Sequence, residues 1–328
     1  MSQLVVKPLF PPNFISGSIT DQAALDSAFL QYSSYSRTFV WMALAKPEIR
    51  KWYEDSWPQV QRYLDRDFEA KFQMEEEHNA RAWEFHLGSV LLERGFTPQE
   101  KTSDAGPDFC IKISDTQKVW IEAIACDLGE VDPVPPMPEM LPGVMYSSGG
   151  NIEDDNRPRV LRITSVIGTK FEKFKDYLQD VQSGISQNDC LVIAVNGAAI
   201  EHISNSRMLL KRAVFGQGPD VYVKRKGEEK FKGPFYKSIP TVTKKAKAGE
   251  ESIPANFMEI EEFSKISAVL YCGDKPYNCE RNGHKVGDDF LFAYHVDPEK
   301  PIPSGFFNFG RSIRKNLIDG TIVDIEQR

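Results

Sequence analysis

The most constraining feature of the sequence is the stretch Cys190-Leu-Val-Ile-Ala-Val-Asn, in which six apolar residues follow one another without a polar break. A strand that is apolar on both sides has to be covered on both faces of its sheet. The neighbouring residues 159–182 and 198–215 are predicted helices. The sequence therefore predicts an α/β fold, in which a mixed central sheet is flanked by helices.

Further elements are predicted on both sides of this core. Residues 20–46 and 48–94 are predicted to be mostly helical, with a break near Pro47 and a C-cap at Gly95. The other predicted strands are 108–113 and 118–125, which form a hairpin, and 221–224, 266–272 and 289–295.

The sequence contains no evident domain boundary. Residues 1–75 are interpreted as an N-terminal helical extension of one α/β domain that spans residues 76–328, with C-terminal strands. Residues 130–158 contain six prolines, and this density predicts a long loop because proline interrupts both helices and strands. A basic, loop-rich excursion is predicted at 207–250.

Composition excludes several classes of protein. The longest apolar runs are strand-sized, well short of the roughly 20 residues that cross a bilayer, and the N-terminus lacks a signal-peptide pattern. The five cysteines are scattered and odd in number, which favours reduced thiols in a cytoplasmic protein. Cys272, Cys279 and His284 lack the paired spacing of a zinc site. We expect a cytoplasmic location and no membrane association.

Three carboxylates stand in otherwise apolar surroundings. Glu84 lies on the apolar face of its predicted helix, Asp108 begins the first hairpin strand, and Glu122 lies inside the second, Val-Trp-Ile-Glu-Ala-Ile-Ala. An unpaired carboxylate in an apolar interior costs several kcal/mol or becomes protonated. A divalent cation would neutralise the group, and oxygen ligands suit Mg²⁺ or Mn²⁺. The sequence predicts a metal site at Asp108, Glu122 and Glu84.

The arrangement resembles the PD-(D/E)xK, or restriction-endonuclease-like, nuclease superfamily. The resemblance rests on Glu84 in a helix, on Gly106-Pro107-Asp108 and on Glu122 in the following strand, and it covers roughly residues 76–196. It implies a mixed four-stranded core sheet and a Mg²⁺-dependent endonuclease in which the Asp and the strand Glu bind the metal and the helical Glu assists. Folds of this kind often form homodimers to cut both strands of DNA.

The chain departs from the superfamily pattern at one position. The pattern has a lysine two residues after the strand glutamate, where this sequence has Ile124. Either the lysine has moved to the next helix, where Lys170 is the first candidate and Lys173 the second, or the site is inactive. Lys112 and Lys118 are less favoured because they lie near the hairpin turn.

A basic segment favours nucleic acid as the partner. Residues 207–247 contain twelve Lys or Arg against three Asp or Glu, although the whole chain has a net charge of −7. Such a segment can contact phosphates or simply be a solvated face. The candidate nucleic-acid-binding residues are Lys211, Arg212, Lys224, Arg225 and Lys226.

The sequence therefore favours a metal-dependent nuclease that hydrolyses phosphodiester bonds, with DNA as the expected substrate. Two alternatives stay open. One is a catalytically inactive protein of the same fold that binds nucleic acid, and the other is a hydrolase or scaffold protein that acts on something other than nucleic acid.

Overall fold

The computed structural model describes most of the chain as two compact units. The first comprises Met1–Ile124, Tyr177–Asp189 and Lys275–Asp288, and the second comprises Ala125–Asp176, Cys190–Asp274 and Asp289–Arg328. Within them, the described residues are 7–15, 19–101, 106–130, 132–134, 152–200, 206–223, 232–246, 249–276, 285–316, 318 and 320–327.

The first unit begins with helices. They are α1 (Pro12–Ile15), α2 (Gln22–Gln31), α3 (Arg37–Ala45), α4 (Pro47–Val60), α5 (Phe68–Phe72) and α6 (His78–Glu93). Local chemistry explains where several of them begin. The side chains of Asp21 and Ser36 cap α2 and α3 by accepting backbone N–H bonds, and Pro47 occupies the first position of α4, where its missing N–H costs nothing.

Aromatic side chains form the core that joins these helices. The rings of Phe10 and Phe39 stack with centroids 4.9 Å apart, and Tyr53 on α4 lies 4.7 Å from Phe85 on α6. Helix α6 is buried continuously from Ala82 to Leu91. The helix that carries Glu84 is therefore fixed by packing against residues of the N-terminal 75.

Two glycines determine how α6 packs and ends. A Cβ at Gly88 would lie 3.1 Å from both the Phe109 ring and the Val60 side chain, so any other residue would have to push these side chains back. Gly95 has a positive φ of 83°, and the Phe96 N–H returns to the Leu91 carbonyl at 2.9 Å. The C-cap predicted at Gly95 is confirmed.

A hairpin follows α6. Strands β1 (Phe109–Lys112) and β2 (Lys118–Ala125) are antiparallel, with Phe109 opposite Ile121 and Lys112 opposite Lys118. The hairpin is confirmed, and β2 has the bounds that the sequence predicts. Alternate residues of β2 share a face, so Trp120, Glu122 and Ile124 point to one side.

The second unit contains helices α7 (Ile152–Gln179, of which residues to 176 belong here) and α8 (Ser206–Phe215). Its strands are β3 (Cys190–Asn196), β4 (Gln217–Val223), β5 (Lys232–Ser238), β6 (Thr241–Ala246), β7 (Gly249–Pro254), β8 (Ile266–Cys272), β9 (Leu291–Tyr294), β10 (Arg311–Lys315) and β11 (Ile322–Glu326).

Five of these strands lie side by side in the order β3-β8-β9-β10-β11. The pairs β3–β8 and β9–β10 are parallel, and the pairs β8–β9 and β10–β11 are antiparallel. Strands β4 and β5 form one antiparallel ribbon, and β6 and β7 form another. All seven residues of β3 are buried, as expected for its apolar run. A mixed sheet with helices confirms the α/β class, whereas a restriction-endonuclease-like core stays a prediction.

Some element bounds differ from those predicted. Helix α7 begins at Ile152 and includes Pro158, so the loop predicted at 130–158 is wrong for residues 152–158, whereas residues 135–151 lie outside the described residues. Pro158 is the seventh residue of the helix and lies past its first turn, so its missing N–H removes one intrahelical hydrogen bond. Helix α8 begins at Ser206 rather than at 198. Strands β5, β6, β7, β10 and β11 were not predicted, since their mixed polar and apolar residues give a weak pattern. The described part of residues 207–250 is therefore mostly helix and strand rather than the predicted loop-rich excursion.

Within the described residues, no helix combines the length and the apolar character needed to cross a membrane.

Candidate functional site

The first unit contains a chain of alternating acidic and basic side chains, which we call the charge cluster and define as Glu84, Arg81, Asp65, Lys101 and Asp108. The Arg81 Nη1 atom lies 2.6 Å from Glu84 Oε2 and 3.3 Å from Asp65 Oδ2. Lys101 Nζ donates to Asp65 Oδ1 and lies 3.9 Å from Asp108 Oδ1. Acids and bases therefore alternate along the cluster from α6 to the start of the hairpin.

All five side chains are largely removed from solvent. Their exposed fractions are 9% for Glu84, 13% for Arg81, 19% for Asp65, and 14% for both Lys101 and Asp108. Interactions between buried charges are screened less by salt than those between surface charges. The cluster is a partly buried network rather than a set of surface ion pairs.

Asp108 joins the cluster to β2. Its Oδ2 atom accepts a 2.7 Å hydrogen bond from the Ala123 N–H, directly after Glu122. The paired residues of the hairpin end at Phe109 and Ile121, so Asp108 lies just before the first strand. Its bond to the Ala123 N–H holds the carboxylate against the backbone of β2 beside Glu122.

Glu122 is fully buried within β2, with an exposed fraction of 0%. Ile124 lies two residues further along, on the same face of the strand. A lysine at position 124 would therefore place its charge on the same side of the strand as Glu122. The isoleucine that stands there points to the same side but carries no charge.

Burial and neighbouring charge set the protonation of Glu84. Burial, followed by the negative charge of Asp108, raises the pKa of Glu84 to about 8, although Arg81 acts in the opposite direction. At pH 7 this carboxyl group is mostly protonated. Its proton and any cation bound beside it would compete, since both reduce the same negative charge.

The basic members of the cluster remain charged, and Asp65 remains ionised. Burial favours the neutral form of Lys101, but Asp108 and Asp65 outweigh it and raise the pKa of Lys101. Burial also acts against ionised Asp65, but Lys101 and Arg81 hold the pKa of Asp65 below its usual value. Arg81 and Lys101 are therefore two cations that the chain itself supplies to the carboxylates.

The donor atoms fit a hard divalent cation only in part. Across the ranges the structure describes, no group of three or more His, Cys, Asp or Glu side chains is placed to hold a metal. Mg²⁺, however, is commonly held by one or two carboxylates and keeps several waters. Asp108 and Glu122 fit that smaller donor set, while the predicted set of three, with Glu84, is not assembled as one group.

The predicted lysines lie on α7 in the second unit. Lys170 is half-buried and Lys173 is exposed. A short distance from Lys170 to Glu122 stays a prediction. Of the less favoured lysines, Lys112 pairs with Asp115 at the hairpin turn, and Lys118 lies over the Trp120 ring.

The predicted nucleic-acid-binding residues have different environments. Lys211 is half-buried on α8, whereas Arg212 is buried and its guanidinium donates to the carbonyls of Ile239 and Thr241, at 2.6 and 3.0 Å. Those bonds favour a structural role for Arg212. The basic residues 224–226 lie outside the described residues.

The second unit also contains an acidic cavity of about 750 Å³. His295 lies at its wall, where Nε2 is 3.1 Å from the Ile260 carbonyl and Nδ1 accepts the Asp297 N–H. The carboxylates that line the cavity are those of Glu259, Glu261, Glu262, Asp297 and Glu299. Because this surface repels phosphates, the cavity is unsuited to nucleic acid.

No family model, curated protein or solved structure matches the chain. The resemblance to the PD-(D/E)xK superfamily therefore rests on the motif alone.

Sequence reasoning missed three members of the charge cluster. Arg81 had a visible signal, since it lies three residues before Glu84 and such residues are neighbours on a helix. Asp65 and Lys101 are 36 residues apart, and no local pattern links either of them to Asp108. Only tertiary packing brings them together.

Proposed function

We propose that the chain is a metal-dependent nuclease that hydrolyses phosphodiester bonds in nucleic acid, with DNA as the substrate. The observation that carries the proposal is the position of Asp108. This carboxylate is bonded to β2 beside Glu122, lies near Lys101, and is close enough to raise the pKa of Glu84. Asp108 thus links a base and the acids of α6 and β2 in partly buried surroundings.

Asp108 and Glu122 are the residues that would hold Mg²⁺ or Mn²⁺. When bound, such a cation polarises a phosphoryl oxygen and lowers the pKa of a coordinated water. The Ala123 N–H holds one Asp108 oxygen in place, so this ligand is oriented in advance. Glu84, which holds a proton near neutral pH, is suited to exchange that proton with a nearby water.

The wider proposal concerns partner and location. The basic segment 207–247 would contact the phosphates of DNA, and two copies of the chain would cut the two strands as a homodimer. A cytoplasmic location agrees with the four buried free thiols among the described residues, Cys110, Cys126, Cys190 and Cys272.

A second candidate function is nucleic-acid binding without catalysis. Arg81 and Lys101 already supply positive charge to the carboxylates, and the described residues lack a three-carboxylate metal group. Both observations favour a protein that keeps its charge cluster for stability alone.

One experiment separates the two functions. Purified protein is incubated with plasmid and linear DNA in Mg²⁺, in Mn²⁺ and in chelator, beside Asp108→Asn and Glu122→Gln. We expect cleavage that needs the metal and is lost in both variants. The control is Asp115→Asn, an exposed carboxylate in the same hairpin, which should cleave normally. DNA binding without cleavage would favour the second function, and cleavage that survives both substitutions would refute the first.

A further inference from the structure

Lys101 is held in place rather than solvated. Its backbone N–H donates to the Arg62 carbonyl at 3.3 Å, and its ammonium group contacts Asp65 and Asp108. Lysine has a long, flexible side chain whose burial costs both entropy and solvation. Two acidic partners on separate segments explain why the ammonium group stays in the interior.

The contacts of Asp108 show what Lys101 can do. Its Oδ2 atom accepts the Ala123 N–H and its Oδ1 atom faces Lys101 Nζ. One oxygen is held by a hydrogen bond from the backbone of β2, and the other lies within ion-pair range of a cation, so both contacts favour one orientation of the carboxylate. A change at Lys101 removes the positive charge beside Oδ1 without altering the strand.

We propose that Lys101 is a positioning residue of the candidate site, orienting the Asp108 carboxylate and limiting its affinity for a divalent cation. This inference rests on the proposed function. In this proposal the lysine that acts beside the carboxylates is Lys101, which precedes the hairpin, and not Lys170 on α7. The contacts of Lys101 with Asp65 and Asp108 are the reason for this choice.

The two parts of this role have opposite consequences when the charge is removed. Lys101 repels a second cation near Asp108, so its loss should strengthen metal binding. The same loss leaves Asp108 less well oriented and removes positive charge from the place where a phosphate would react, so turnover should fall. A purely structural lysine would give a different pattern, in which metal binding and turnover weaken together.

The test compares Lys101→Met and Lys101→Arg with wild-type protein by Mn²⁺ calorimetry and by DNA cleavage at saturating Mn²⁺. In Lys101→Met we expect the Mn²⁺ Kd to fall about tenfold and kcat to fall about a hundredfold. Lys101→Arg, which keeps the charge, should recover both values in large part. The control is Lys112→Met, which removes the same charge from an exposed pair with Asp115 and should alter neither.

Three outcomes would count against the proposal. Wild-type protein that binds no Mn²⁺ would overturn the proposed function, and this inference with it. If the wild-type protein binds Mn²⁺ and Lys101→Met has an unchanged or higher Mn²⁺ Kd, the inference alone would be overturned. Should Lys101→Met fail to fold, Asp65→Asn decides. It removes the compensating charge from Lys101 and should raise the Mn²⁺ Kd severalfold, and an unchanged Kd would reject the role of Lys101.

Discussion

The raised pKa of Glu84 makes the stability of the protein depend on pH in a defined direction. Its pKa is about 8 in the folded protein against an ordinary value of 4.5, mainly because of burial and then of Asp108. Between these two values the native state binds more protons than the unfolded state. Stability due to Glu84 is therefore fully present below pH 4.5 and is lost as the pH rises through 8.

The size of this effect follows from the same two values. One pKa unit corresponds to 1.36 kcal/mol, so the full loss of stability above pH 8 is about 5 kcal/mol. The part that falls between pH 6 and pH 9 is about 3 kcal/mol. Glu84→Gln keeps the shape of the side chain without a titrating group. We expect the stability of this variant, relative to wild type, to increase by that amount over the same interval.

Urea unfolding in chelator at pH 6, 7, 8 and 9 measures this difference directly. The exposed carboxylate of Glu76 lies outside the charge cluster, so Glu76→Gln serves as the control and should follow the wild-type profile. Stability curves for wild type and Glu84→Gln that stay parallel from pH 6 to pH 9 would refute the reasoning, because Glu84 would then have an ordinary pKa in the folded protein.

Three further predictions concern packing, a buried acid and the basic segment. Gly88→Val places a side chain against Phe109, where a Cβ already lies at 3.1 Å, and should destabilise the protein by about 2 kcal/mol in urea unfolding; unchanged stability would mean that α6 and β1 can separate. Asp189→Ala removes a buried carboxylate that accepts hydrogen bonds from the Trp120 Nε1–H at 2.9 Å and from two backbone N–H groups. The free energy of unfolding should fall by about 3 kcal/mol or more, with a lower melting temperature. A smaller fall would show that water replaces the carboxylate. Replacing the basic residues 224–226 should flatten the salt dependence of duplex DNA binding by about 0.9 in slope for each lost phosphate contact; an unchanged slope would assign these residues to a solvated loop.

The sequence predicted the hairpin and the central strand well because their signals are local. Strand β2 is short, apolar and bounded by a polar turn, and β3 is an uninterrupted apolar run. The polar exception inside β2, Glu122, was visible for the same reason. A carboxylate that interrupts an apolar strand stands out without any knowledge of the fold.

The rest of the candidate site could not be predicted, because it depends on contacts between distant residues. Lys101 lies in a loop whose sequence has no apolar period, and Asp65 follows a short turn. Neither position differs from an ordinary surface residue until α6 and the hairpin are packed together. The sequence therefore favoured helix α7 for the missing cation, because the lysines there share a visible helical face.

A crystal of this protein soaked in Mn²⁺ and measured for anomalous scattering tests the metal site itself. We expect an anomalous peak about 2.1 Å from a carboxylate oxygen of Asp108 and from one of Glu122, the spacing of a small octahedral cation and its ligands. In a matched crystal of Glu122→Gln the peak should be weak or lost. Well-ordered density for both carboxylates with no anomalous peak between them, at millimolar Mn²⁺, would contradict the metal site and with it the nuclease.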